Sequence, residues 1–320
     1  MPTISNGLNY IIDFEQKLID NSIMSNSQTK ISINYGKSES TISDESKRDL
    51  ENLFYALADI LSKPVDIQIN VLDSIDSFAN QDRQIVGGNT TYLGSNKFSV
   101  EFNRKYIETF DNTEEHYLYP MALHEFAHIE DKITFLNSES KFLKKVENTP
   151  RTYKEICRNI AYDVWTEFFA YRFTFVNCKA YQYPTLLYLV NNYEDLLIAK
   201  EGFLTLVNDR EPTNLEIEQY INNVNAFIYN LVMHIAGMIY GIRKYYKPVD
   251  KTRNKKSFKR VDSFIFNLTK RISSYIGSKT IKTQEDTFIK LGEYVLDEIY
   301  DKLNINISRH NSVYYLVIYK

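Results

Sequence analysis

Residues Met121 to Phe135 constrain this chain more than any other stretch. Ala122, Phe126, Ile129 and Ile133 recur at helical spacing, so one apolar stripe runs along the segment. Beside that stripe stands His124-Glu125-Phe126-Ala127-His128, the pattern H-E-x-x-H. On an α-helix, residues i and i+4 lie one above the other on the same face. Two imidazoles placed so can reach a single zinc ion, and the Glu beside the first can act on a water held there. The bland alternative is a chance pattern on an ordinary helix. The chain has only 5 His, and two of them fall here.

Composition sets the frame around this helix. The 320 residues suffice for one large domain or two modest ones. A hydrophobic content of 43%, with 25 Tyr and 19 Phe, supports a packed core. Only 10 Gly and 7 Pro favour long helices over a turn-rich β fold. The net charge of −3 gives no global field toward nucleic acid or an anionic membrane. The abundance of Asn, Lys, Ile and Tyr suits a low-GC bacterial or phage genome. Met1 to Asn6 shows no secretory signal, and Phe227 to Ile242 is too short and too polar to span a membrane. Cys157 and Cys178 read as two unbonded thiols in a reducing compartment, so the expectation is a cytoplasmic protein without a membrane segment.

The expected elements fall in order. Leu8 to Leu18 suggests a short helix, and Lys30 to Tyr35 a strand. Ser43-Asp44-Glu45 caps a helix that Pro64 stops. Val65 to Val71 alternates as a half-buried strand. Thr90 to Leu93 and Phe98 to Phe102 read as a hairpin. Thr113-Glu114-Glu115 opens a helix in which Pro120 marks either a kink or a new start. Tyr153 to Val176 is a long helix. Helices at about 185–200, 214–246, 257–276 and 284–304 follow, with a terminal strand at 312–319. The fold class expected is therefore α+β and predominantly helical: a small mixed sheet packed on the motif helix in residues 1–180, and a helical extension in 181–320. No internal repeat is visible.

A catalytic zinc site takes three protein ligands and leaves one position open. The H-E-x-x-H-x-x-G-x-x-H pattern is excluded, because Asp131 stands at its Gly position and Thr134 at its last His. No Asp in a Gly-rich context stands out downstream. Glu167 in Trp165-Thr166-Glu167-Phe168-Phe169-Ala170 is the leading third ligand, since a carboxylate among apolar residues is costly unless paired or bound to metal. Its alternative is an acid at the edge of an amphipathic helix, and Glu155 is a second candidate ligand. Asp163, one turn before Glu167, and Asp131 are candidates to orient an imidazole, or else ordinary solvated acids.

With these residues in view, the chain resembles the gluzincin metallopeptidases, in which two His and a downstream Glu bind zinc and the motif Glu is the general base. Within them, the intracellular bacterial and phage-associated ImmA/IrrE-like peptidases come closest. Of their second motif E-x-x-A-N-x-F-A, Glu167, Ala170 and Phe173 match, while Tyr171 and Thr174 replace the Asn and the last Ala. The resemblance covers roughly residues 60–180. It implies Zn2+ held by His124, His128 and Glu167, with Glu125 as base, and a zincin-like core. It also implies an oxyanion donor from a later residue. The candidates are His234, Tyr171, Arg172 and Tyr240, with His116 before the motif; His234, in an apolar helix, is equally a satisfied core residue. Phe98 to Phe102 is expected to be the sheet edge that binds an extended peptide, or otherwise a core strand.

The function expected is a zinc-dependent endopeptidase acting on a protein or peptide partner. A catalytically inactive zincin-like protein that binds a partner is the alternative, though a retained Glu125 speaks against it. A helical nucleic-acid-binding protein with an accidental motif is the third reading. It rests only on the basic run from Lys247 to Arg260, which otherwise reads as a solvated loop.

Overall fold

The computed structural model describes residues 29–73, 88–108, 118–136, 152–178, 184–240, 255–276, 285–310 and 313–318. The expected helix at Leu8 to Leu18, the helix start at Thr113 and most of the basic run lie outside them. The fold is α+β and predominantly helical, with a mixed four-stranded sheet near the N-terminus. The chain divides into two compact units: residues 1–134 with 173–181, and residues 135–172 with 182–320.

The first unit is built on the sheet. Strands β1 (Lys30–Asn34), β2 (Asp66–Leu72), β3 (Gly88–Gly94) and β4 (Lys97–Asn103) are ordered β1-β2-β4-β3. The pairs β1–β2 and β2–β4 are parallel, and β3 runs antiparallel to β4. The turn between β3 and β4 carries positive φ at Gly94, Ser95 and Asn96, as a tight connection of this kind requires. Lateral order departs from expectation here. Phe98 to Phe102 lies in β4, which is interior, and β3 is the antiparallel edge. Two flanking strands suit β4, because its Phe98, Val100 and Phe102 are wholly enclosed.

Strand alternation decides what each face does. Ile67, Ile69 and Val71 stand in register with Phe98, Val100 and Phe102, and all are buried on one face. The other face carries Gln68, Asn70, Ser99 and Glu101, linked by hydrogen bonds such as Asn70 Nδ2 to Ser99 Oγ at 3.1 Å. Helices α1 (Asp44–Ala58) and α3 (Leu118–Leu136) cover the apolar face. Ser43 Oγ accepts from the Ser46 backbone N–H at the start of α1, which is the capping expected there. Phe54 of α1 stacks on Phe102 at 5.5 Å and on Phe126 of α3 at 6.3 Å between ring centres. A short helix α2 (Arg104–Glu108) leads out of β4. Pro120 falls in the first turn of α3, where its missing N–H has no partner to lose.

The second unit is helical. It holds most of α4 (Tyr153–Asn177), then α5 (Leu186–Asp209), α6 (Asn214–Tyr240), α7 (Lys255–Ile276) and α8 (Glu285–Val295). The helix expected at 284–304 is shorter. It passes into a π turn at Leu296–Tyr300 and a 3-10 turn at Asp301–Leu303, and ends at Asn304 in the left-handed region with φ 58. Asn tolerates that conformation better than most residues. The chain closes with an antiparallel hairpin of β5 (Ile305–His310) and β6 (Val313–Ile318). Cys157 and Cys178 are not joined in a disulfide. Among the described residues, no helix is long and apolar enough to cross a membrane.

Candidate metal centre

Helix α3 presents the motif as its spacing requires. Ala122, Phe126, Ile129 and Ile133 are buried in the core, which fixes the helix's rotation about its own axis. His124 and His128 consequently share a neighbouring face, each half-buried. Their Nε2 atoms lie 3.1 Å apart and the rings stand nearly perpendicular at 86°. Zn–N bonds of about 2.0–2.1 Å in a tetrahedron separate two ligand nitrogens by about 3.3 Å. The imidazole pair already has that spacing. Asp131, one turn beyond His128, is buried at 1% exposure.

Glu167 completes the group. One ligand atom from each of His124, His128 and Glu167 can be chosen so that all lie within 4.8 Å of one another. Two imidazoles and one carboxylate are the donor set of a three-ligand zinc centre. Glu167 is half-buried on α4 between the buried Trp165 and Phe168, and Ala170 one turn on is fully enclosed. Glu155 is not in this group; its carboxylate accepts from the Thr152 backbone N–H at 3.0 Å and caps the start of α4.

Asp163, one turn before Glu167, keeps access to solvent although protein crowds around it. That burial, with the Glu167 charge beside it, pushes its pKa up to about 7. Tyr229 of α6 lies close enough to feel both carboxylates. Burial first, then Glu167 and Asp163, raise its phenol so that the O–H stays protonated. Tyr229 was not apparent in the sequence, where it sits in the apolar periodicity of Phe227-Ile228-Tyr229.

Glu125 faces strand β3. Its side chain is only 5% exposed, and Thr90 Oγ1 donates to its Oε2 at 2.7 Å. Gly88 makes the close approach feasible: a Cβ there would stand 2.7 Å from Glu125 Cγ and 2.8 Å from Oε1. Gly88 and Thr90 were missed because Gly87-Gly88-Asn89 reads as a turn. A glycine at the start of a strand pattern is also the mark of a close backbone approach.

His234 is placed elsewhere. Its ring is buried at 1% exposure in α6, and Nδ1 lies 2.6 Å from the Pro184 carbonyl oxygen, to which it donates. Burial lowers its pKa, so the ring is neutral. It is not in the metal-ligand group. Arg172 is exposed and its guanidinium stands over the Tyr240 ring, 5.2 Å from the centre, while Tyr240 also packs against Phe168. His116 lies outside the described residues.

Comparison with family models, with curated proteins and with solved structures finds no match for this chain. The arrangement of His124, His128 and Glu167 on helices is compatible with an H-E-x-x-H zincin site completed by a downstream Glu.

Proposed function

We propose that this protein is a zinc-dependent endopeptidase that hydrolyses a peptide bond in a protein partner within the cytoplasm. The observation that carries the reading is the convergence of the His124, His128 and Glu167 donor atoms, with Glu125 next to His124 on the same helix. His124, His128 and Glu167 would hold the ion. A bound zinc ion supplies Lewis-acid activation of a water and of the scissile carbonyl. Glu125 takes a proton from the attacking water and returns it to the departing amine. Its enclosure at 5% exposure keeps bulk water from competing for that proton. Tyr229 keeps a protonated hydroxyl near Glu167, available as a hydrogen-bond donor. An extended peptide would pair with β3, whose outer edge has no strand beside it among the described residues. That strand also touches Glu125 through Thr90, so a peptide lying along it is brought to the base.

The test is a digest of a proteome-derived peptide library, scored by mass spectrometry for new termini. Wild-type protein is expected to create cleavages that a chelator removes and that Glu125→Gln lacks while retaining its metal. Equal cleavage by wild type and Glu125→Gln would contradict the assignment of the base.

A further inference from the structure

We propose that Thr90 on the edge strand is the positioning residue of the general base, holding the Glu125 carboxylate in its working orientation; this rests on the peptidase reading of the same site. A Glu side chain on a helix has several torsions to settle, and a base that wanders loses alignment with its proton. Here three features fix it. Thr90 Oγ1 donates to Oε2 at 2.7 Å, the length of a strong hydrogen bond to a carboxylate. The same hydroxyl lies 3.2 Å from the Glu125 backbone oxygen, so both ends of the residue meet one group. Gly88 seats the remaining side-chain atoms against the strand, where any Cβ would collide with Cγ, Cδ and Oε1.

The strand geometry makes this a designed contact. Period-two alternation puts Gly88 and Thr90 on the same face of β3. They stand opposite Phe102 and Val100 of β4, both fully enclosed in the core that packs on α3. Thr is stiff at its β-branched carbon, so the hydroxyl is delivered with little freedom. One strand thus offers an outer edge for a peptide backbone and, on its helix-facing side, the donor that orients the base.

The test uses protein loaded with cobalt(II) in place of zinc, and acetohydroxamate as probe. Hydroxamates chelate such an ion and share a proton with the neighbouring base, so the visible cobalt spectrum reports binding without any turnover. Thr90→Val replaces the hydroxyl by a methyl of similar size, and Thr90→Ser keeps the hydroxyl. Losing a charge-assisted hydrogen bond is expected to weaken acetohydroxamate at least about tenfold in Thr90→Val, whereas Thr90→Ser stays within roughly threefold of wild type. Cobalt uptake should be equal in all three. Glu125→Gln should weaken the probe as Thr90→Val does, and the double variant should be no weaker than Glu125→Gln alone. Wild-type affinity in Thr90→Val, or additive losses in the double variant, would overturn the role of Thr90 and leave the metal centre standing. Failure of wild-type protein to take up cobalt would overturn both.

Discussion

Asp163 and Glu167 stand one helical turn apart on α4, and the charge of one opposes the charge of the other. Burial first, and then the Glu167 charge, let Asp163 in metal-free protein keep its proton to about pH 7, far above the unfolded value near 3.8. The folded state then binds more protons than the unfolded state between those limits. Stability from this group is present at low pH and is lost as pH rises toward 7. Asp163→Asn should be more stable than wild type at pH 8 in the presence of chelator and show no advantage at pH 4, read by urea unfolding. An equal shift at both pH values would exclude this origin. His234 works in the opposite sense. Its depressed pKa means that the unfolded chain takes up a proton first as pH falls below about 6.5, so its contribution is lost on the acid side. Much of the candidate site was visible at this scale. His124, Glu125 and His128 are declared by spacing, and Glu167 by the cost of a carboxylate among Trp165, Phe168 and Ala170. Thr90, Gly88 and Tyr229 were not, because a local pattern cannot say which residue meets another across a fold.

At the scale of elements, the legible features were those set by local periodicity. β2 alternates strictly and is a strand with Ile67, Ile69 and Val71 inside. Helix α3 follows its apolar stripe and ends within a residue of the expected position. The lateral order of strands was not legible, since β4 pairs with β2 across a gap in sequence and no side-chain pattern records its neighbours. The same holds for close packing between helices. Gly292 of α8 is such a case: a Cβ there would stand 1.8 Å from the Cys157 carbonyl oxygen of α4. The obstacle is helix backbone, which cannot swing aside as a side chain would. Gly292→Ala should destabilise the protein by about 1–3 kcal/mol, the cost of overpacking. Unfolding in denaturant checks this; a variant as stable as wild type would show that α4 and α8 separate without strain.

For the whole molecule, the α+β class and the helical excess followed from few Gly and Pro and from long apolar periodicities. The sheet strands lie between residues 30 and 103, the helices α5 to α8 between residues 186 and 295, and the terminal hairpin was only half foreseen, as one strand. The basic run from Lys247 to Arg260 falls largely outside the described residues. Everything proposed for activity depends on a metal ion held by His124, His128 and Glu167. The direct measurement is metal content of freshly purified protein by mass spectrometry, with His124→Ala and Glu167→Ala in parallel. The account predicts about one zinc per chain in the wild type, as for a three-ligand catalytic site, and loss of that zinc in both variants. Wild-type protein without zinc, or Glu167→Ala protein that retains it fully, would contradict the account.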